Sequence, residues 1–487
     1  MFNLYNGIPS EGEVRRGGRG HTSFWRRIHL REVMSVSFLL SATPILLLGV
    51  GLFFIVYLRG FCFLRPLRCL RALMGYRPKS GITPFRALTV ALAGTLGVGN
   101  IVGVASALYL GGAGAVLWMM VSALVAMILK YAEITLAVRH RRTDGAGSLC
   151  GGAPYYMQDG LSRAGFPRLG RWAGRLFAAL CLANALTMGS FLQINAVAGA
   201  MEEGFSIPPL LTGGVVAILA VVVMGGGAAR IAALTEKLVP FMTVAFLAVC
   251  VAVLVLRRER IPAALGEILR DAATPAAAGG GLAGFFLSRG VRYGVMRGLV
   301  SNEAGCGTAP MAHATADVDL PGRQGLFGLV EVFVDTVLLC TVTALCILVS
   351  DSGPRACGED VVRTAQAAFS SVLGEWASLF FALSILLFGV ATVLCWAHYG
   401  MTSVGYLVQS KNGRWARLAE TAYTVCLAAC LMGGAVSSPG LAWELADGCI
   451  AVMTICNLLM LWLMRREVLE ETRRLFREPI RKGRHTL

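Results

Sequence analysis

Residues 94–100 read "GTLGVGN", in the middle of an apolar stretch that runs from Ala87 to Leu110. A membrane-crossing helix gains nothing from such residues. Each of Gly94, Gly97, Gly99 and Gly103 costs about 1 kcal/mol in a helix interior relative to alanine, and Asn100 adds a polar amide. In hydrocarbon every peptide N–H and C=O needs a partner, so a span that unwinds at depth is tolerated only where protein or a ligand takes up the freed groups. Two readings follow from this stretch alone. One is an unwound binding segment; the other is close helix packing through the four-residue spacing of Gly99 and Gly103.

The rest of the chain sets the solvent. Of 487 residues, 56% are hydrophobic and only 15% charged, with a mean hydropathy of +0.66; too few polar side chains exist to cover a water-soluble globule of this size. Apolar runs of about 20 residues recur, each long enough to cross roughly 30 Å of hydrocarbon as a helix. Alternating strands of barrel type are not seen. The formal charge of +16 is distributed between the apolar runs rather than on one face, which points to membrane topology and away from nucleic acid. Most of the fourteen cysteines fall inside apolar runs as small hydrophobes. No pair or Cys/His cluster has metal-site spacing.

The pattern predicts an all-α integral membrane protein of eleven spans: 35–58, 87–110, 113–138, 172–201, 208–229, 232–256, 276–316 (interrupted), 325–350, 376–408, 415–434 and 441–464. The first is a preliminary helix before a core of ten. The acid-free 59–86 connection carries Arg59, Arg65, Arg68, Arg71, Arg77, Lys79 and Arg86, and the 139–171 loop and the tail from Arg465 are also basic. The positive-inside rule puts these segments in the cytoplasm. The C-terminus is then cytoplasmic and the N-terminus outside. Two segments fit less well: the 257–271 loop, with four arginines on the opposite side, and residues 1–33, whose six arginines just before the first span suggest a translation start at Met34 or a basic arm at the membrane interface. The units expected are this arm, the preliminary helix with its basic loop (34–86), two five-helix repeats (87–256 and 276–464) and a basic tail (465–487).

A second broken segment favours the binding reading of the first. "RGLVSNEAGCGTAPMAHATA" (297–316) groups Gly298, Ser301, Asn302, Glu303, Gly305 and Gly307. The two interrupted helices open successive groups of five spans, as expected for an inverted repeat with its site at the repeat interface. Half-helix N-termini attract a carboxylate there, and freed carbonyls hold a dehydrated cation.

Three blocks carry a resemblance to a known family: "GTLGVGNIVGVASALYLGGAGAVLWM" (94–119), "RGLVSNEAGCGTAPMAHATA" and "QGLFGLVEVFVDT" (324–336). With "FLQINAVAGAM" (191–201) and "LFGVATVLCWAHYG" (387–400), they resemble the alanine or glycine:cation symporters of bacteria and archaea over nearly the whole chain after Met34. The resemblance implies the leucine-transporter fold, a prokaryotic plasma (inner) membrane, and sodium- or proton-driven uptake of small neutral amino acids with no cofactor beyond the coupling ion. It implies a substrate site at Gly97, Asn100, Gly298, Ser301 and Asn302 of the broken helices, Gly189 and Gln193 of core helix 3, and Thr392 and Trp396 of core helix 8. Trp396 would restrict the ligand to an alanine-sized side chain, unless it serves core packing. A sodium ion would lie between core helices 1 and 8 at the carbonyls of Ala93 and Leu96 and the Thr392 hydroxyl. The chain departs from the family pattern at Ala113, Leu117, the "GGAPYYM" loop (151–157) and Val98, where a hydroxyl beside the site is lost.

Buried ionisable groups offer further routes for a coupled ion. Asp335 and Glu303 are the candidates, Asp335 being equally readable as a structural carboxylate; Lys130 and Glu133 read as a local pair. A channel would need repeated subunits or charged rings, and an intramembrane enzyme a nucleophile or metal dyad that the scattered histidines, His313 and His398 included, do not supply. A proton-driven amino-acid transporter of different selectivity is the competing expectation.

Overall fold

The structure is a computed structural model that describes residues 42–74, 81–143, 147, 149–273, 289–358, 360–408 and 413–477. The expected arm 1–33, Met34 and the 276–288 portion of the seventh span lie outside them. Among the described residues the chain is almost entirely helical: α1 (Ala42–Tyr57), α2 (Pro66–Met74), α3 (Pro84–Thr95), α4 (Val102–Gly111), α5 (Gly114–Arg139), α6 (Ala153–Arg163), α7 (Pro167–Phe205), α8 (Pro209–Met224) and α9 (Gly227–Leu256). There follow α10 (Ile261–Ala272), α11 (Arg289–Asn302), α12 (Pro310–His313), α13 (Pro321–Val349), α14 (Val361–Leu373), α15 (Trp376–Val408), α16 (Gly413–Val436), α17 (Gly440–Leu463) and α18 (Arg465–Arg477). A two-residue hairpin, β1 (Arg142–Thr143) with β2 (Leu149–Cys150), pairs antiparallel beside α6.

Seven of the described helices are long and apolar enough to cross a membrane, and α1, α4 and α8 are shorter apolar helices. The bundle sorts them by burial. α5 and α15 each have 67% of their apolar window inside the protein, whereas α9 has 33% and α16 only 28%; α9 turns Phe241, Val244, Val251 and Val255 outward, as a lipid-facing helix does.

Small residues let the central helices approach. A Cβ on Gly298 of α11 would lie 2.6 Å from Ser122 Oγ of α5, and one on Gly325 of α13 would lie 2.5 Å from Thr135 Oγ1 of the same helix. α5 is therefore clasped between α11 and α13 at backbone contact distance.

Two loops expected to be merely charged are built. In the basic 139–171 loop, His140 is held between Asp159 of α6 and Glu467 of α18, at 3.0 Å from each, and Arg139 reaches Glu467 at 3.0 Å and Glu471 at 2.7 Å. The acids of the tail thus dock it on the end of α5. In the ill-fitting 257–271 loop, Arg257 and Arg260 both pair with Asp351, and α10 lies between them and α11 in sequence. Local pairing explains why these arginines defy the loop-charge rule.

Candidate substrate cavity

A cavity of about 620 Å³ reaches from the middle of the bundle to one end. Gly97, Val98, Gln193, Ser301 and Trp396 line it beside the helix break, and Glu203, Asp360 and Arg363 lie at its mouth. Its walls are helical stripes: Gly99, Val102, Gly103 and Ser106 along the second half of the first broken helix, and Trp443 and Asp447, one turn apart, along α17.

The first break is a change of backbone direction in which tighter local bonds, Gly97 N–H to Thr95 O at 2.9 Å and Asn100 N–H to Gly97 O at 3.2 Å, replace the helix ladder. α3 ends as Leu96 turns to ψ 66°, Gly97 is extended (φ −105°, ψ −166°), and Val98–Asn100 makes a single 3₁₀ turn before α4. The Val98 N–H donates to Gln193 Oε1 at 3.4 Å, a long bond, while Gln193 Nε2 donates to the Met188 carbonyl at 3.2 Å. A Cβ on Gly97 would meet Thr392 Oγ1 at 2.7 Å and Gln193 Oε1 at 3.3 Å; one on Gly94 would meet Cys395 Sγ at 2.7 Å. Here the first broken helix and α15 touch. Gly99 and Gly103 have nothing within 4 Å of a Cβ position, so the packing reading fails for that pair, and both glycines line the cavity.

The Thr392 hydroxyl is 3.0 Å from the carbonyls of Ala93 and Phe388. Leu96, at the adjoining helix end, is fully buried. The Phe388 contact is a threonine-to-carbonyl bond within α15, one turn back from Thr392, whereas the Ala93 contact joins α15 to α3.

Several expected site residues turn elsewhere. Asn100 is fully buried and its Nδ2 donates to Asp335 Oδ1 at 2.6 Å, away from the cavity. Asn302 caps the end of α11, its Oδ1 accepting from the Ala304 N–H at 3.0 Å and its Nδ2 donating to Thr336 Oγ1 at 3.2 Å. Gly298 is the contact glycine on α5 described above, not a wall of the cavity. Gly189 lies against Trp396, where a Cβ would come within 2.2 Å of the indole side chain's own Cβ; it makes room for the tryptophan and does not itself face the cavity. Ser301 does both jobs. It lines the cavity and donates to Asp335 Oδ2 at 2.8 Å. Thr336 donates to the same oxygen at 2.6 Å, so Asp335 stands behind the wall with three side-chain donors.

Two π-helical turns were not foreseen. Thr187–Phe191 contains Gly189, and Phe333–Cys340 contains Asp335 and Thr336. Such one-turn widenings cluster at functional sites, and periodicity at 3.6 residues does not reveal them.

The second break is stapled. Glu303 adopts a left-handed conformation (φ 51°), followed by Gly305 (φ 83°) and Gly307 (φ 80°). Glu133 Oε2 accepts from the Gly307 N–H at 3.1 Å and from Asn457 Nδ2 at 2.9 Å, and Asn457 Nδ2 also reaches the Gly305 carbonyl at 2.9 Å. Glu303 Oε2 accepts from Thr308 Oγ1 at 2.6 Å. The expected Lys130–Glu133 pair is replaced by Lys130–Glu331, at 3.2 Å with both side chains fully buried, and His313 contacts the other Glu331 oxygen at 3.0 Å. One turn of α5 separates residues 130 and 133, but α13 carries Glu331 to the ammonium. His313 in turn meets Gln324, which donates to the Pro84 carbonyl at 3.3 Å. This chain of contacts ties the start of α3 to α12 and α13, at the opposite end of that helix from the cavity.

The model of the sodium:alanine symporter family matches residues 29–486. The chain belongs to this family. It is similar to the sodium/alanine symporter AgcS of Methanococcus maripaludis, at 35% identity over 371 residues that cover 76% of this chain and 79% of that protein. It is also 35% identical to an uncharacterised transporter of Haemophilus influenzae, over 77% and 79% of the two chains, and to the probable sodium/glutamine symporter GlnT of Bacillus subtilis, over 75% and 72%. Among solved structures, a manganese transporter of Eremococcus coleocola overlays with a TM-score of 0.47 at 14% identity, covering 80% of this chain and 78% of that one. As a family member the chain is a multi-pass membrane transporter, a cation-coupled amino-acid symporter and not an enzyme.

Proposed function

We propose that this symporter couples inward sodium movement to uptake of a small neutral amino acid, alanine or glycine, by alternating access. The observation that carries the proposal is the opened backbone at Gly97–Asn100, placed at the cavity beside Gln193, Ser301 and Trp396. The residues that line the cavity here, Gly97, Val98, Gln193, Ser301 and Trp396, are uncharged, so an amino-acid zwitterion is met by peptide dipoles and neutral hydrogen-bonding groups. Trp396, fixed against Gly189, limits the side chain that fits. Sodium takes the oxygens of Ala93, Thr392 and the neighbouring helix end. The relatives named for sodium, alanine and glutamine support the class and leave the size of the side chain to Trp396 and its neighbours.

The finer architecture belongs to the same proposal: eleven spans, a preliminary helix before two inverted five-helix repeats, in a prokaryotic inner membrane with the docked tail α18 cytoplasmic. In that orientation the cavity mouth at Glu203 and Arg363 is external and the Pro84–Gln324–His313 contacts close the inner side. On this reading the cavity opens to the outside.

Energetically one ion suffices. A cation moving down roughly 100 mV releases about 2.3 kcal/mol and a tenfold gradient adds about 1.4 kcal/mol. The sum of about 3.7 kcal/mol supports roughly 500-fold accumulation.

A proton-driven reading has one observation in its favour. Glu133, Glu303, Glu331 and Asp335 are all buried with only Lys130 and His313 to balance them, and Glu133 Oε1 has no hydrogen-bond partner among the described residues. Counterflow in proteoliposomes with L-alanine, D-alanine, glycine and serine, with and without sodium, separates the two. Sodium-dependent exchange of alanine or glycine is expected; exchange that follows pH and ignores sodium overturns the sodium reading.

A further inference from the structure

We propose that Arg297 and Asp447 form a second, outer binding site in the same cavity, one that captures the whole amino-acid zwitterion before it reaches the helix break. The inference rests on the amino-acid reading above and adds a place and a charge pattern to it.

Both side chains line the cavity, from different helices. Arg297 lies four residues before Ser301 on α11, hence on the same face and about 6 Å farther toward the mouth. Its guanidinium donates one hydrogen bond, to Ser106 Oγ at 3.0 Å, and lies over the Trp443 ring at 5.7 Å from the centroid. A guanidinium has five N–H donors. No carboxylate lies within ion-pair distance of it among the described residues. Asp447, one turn beyond Trp443, has neither a hydrogen bond nor an ion pair among the described residues. The contrast with the mouth is informative: there Arg363 is already paired with Glu203 at 3.1 Å and with Asp360 at 3.4 Å.

A half-buried cation with spare donors and a carboxylate that attracts it only across the intervening space therefore face one cavity without touching. Separately each is costly to hold in a poorly solvated cleft. A zwitterion resolves both at once. Its carboxylate takes the fork of Arg297, the geometry that favours bidentate pairing, and its ammonium takes Asp447. The charges match any α-amino acid, so this outer site selects for the zwitterion as a class. Selection by side-chain size is left to Trp396 below. An amine or a carboxylic acid alone satisfies half of the pair and is bound weakly.

The test uses purified full-length carrier and alanine as the probe. Equilibrium binding of labelled alanine is measured for wild type, Arg297→Gln, Arg297→Lys, Asp447→Asn and Ser301→Ala, together with KM and kcat of uptake in proteoliposomes. Two alanines per wild-type carrier are expected, falling to one in Arg297→Gln and Asp447→Asn. Each of these two variants raises KM by about tenfold or more, the size of a lost charged hydrogen bond, and changes kcat less. Alaninamide, which keeps the amine and lacks the carboxylate, competes less well than alanine against wild type, and that preference shrinks in Arg297→Gln. Arg297→Lys recovers part of the KM loss. One alanine per wild-type carrier, with KM unmoved in both charge variants while Ser301→Ala weakens binding, overturns the outer site alone. A wild type that binds no alanine overturns the amino-acid reading with it. A fall in kcat and thermal stability at unchanged KM marks a purely structural role and also overturns the site.

Discussion

The two helix breaks solve the same problem in opposite ways. At 96–101 the chain opens with glycine and neutral side chains at the cavity wall, held by short-range backbone bonds such as Gly97 N–H to Thr95 O and by one long bond from Val98 to the Gln193 side chain. At 303–309 the freed groups are taken up by Glu133 and Asn457, and the surrounding carboxylates are tied to Lys130, His313 and Thr308. A break that serves a ligand keeps peptide groups available; a break that serves the scaffold, or moves between states, has them satisfied from within. On the proposed function the first break is the substrate site, and the second is stapled by buried polar and charged side chains.

This contrast is exposed first by removing the charge that balances the second break. Lys130→Ala leaves Glu331 facing only His313 in the protein interior, and breaking a buried pair from one side costs about 3–5 kcal/mol. A large drop in thermal unfolding temperature in detergent is expected, and a double variant Lys130→Met/Glu331→Leu recovers much of it. Next, Glu133→Ala strands the Gly307 N–H and one Asn457 donor, at about 1–3 kcal/mol for each unsatisfied group. Thermal unfolding again reports it, with hydrogen exchange at 303–309 rising more than at 96–101.

The first break responds differently. Gly97→Ala drives a methyl toward Thr392 and Gln193 and is expected to cost about 1–3 kcal/mol of overpacking, with transport reduced at least tenfold. Gly103→Ala, with open space around the new methyl, leaves the fold intact or stabilises α4 by up to about 1 kcal/mol. Both glycines line the cavity, so uptake assays on the pair distinguish one packed against its neighbours from one with open space beside it.

The smallest effect lies at the docked tail. The carboxylates of Asp159 and Glu467, against burial, hold His140 above its ordinary 6.5, and His140 in return holds Asp159 below 3.8 and Glu467 below 4.5, again against burial. The histidine contribution is present in full below pH 6.5 and fades as pH rises through its raised value. The carboxylate contributions are present in full above about pH 4.5 and fade as pH falls through their lowered values. Docking of α18 is strongest between those limits. Hydrogen-exchange protection of 465–477, corrected for the intrinsic pH dependence of amide exchange, is expected to be greatest there and to fall on the alkaline side; His140→Gln removes the alkaline limb and weakens the acid one, which then rests on Arg139, Arg142 and Arg163.

Much of this was legible from residue order, because length and hydrophobicity fix spans and glycine clusters fix where they break. Gln193, Ser301 and Trp396, singled out by their motifs, line the cavity. Side-chain direction at a break was not legible: once the helix period is lost, spacing no longer says which way Asn100 or Asn302 points, and both turned to α13. Gly298 and the Gly99/Gly103 pair exchanged roles for the same reason, since a glycine's spacing does not reveal what lies opposite. Lys130 found Glu331 because the partner was set by packing between α5 and α13 and not by distance along one helix. Arg297 carried a usable signal, a basic residue four before Ser301 inside an apolar span, which intramembrane charges make functional by default.

The central claim is that the opened peptide groups at 97–100, with Ser301 and Gln193, receive the amino-acid zwitterion beside a sodium ion at Ala93 and Thr392. A cryo-electron microscopy structure of the carrier in saturating alanine and sodium tests it most directly. The account predicts ligand density against Gly97–Asn100 under Trp396 and a separate ion peak between α3 and α15. Density confined to the carboxylates around Glu133 and Glu303, or a continuous helix through 94–103, contradicts it.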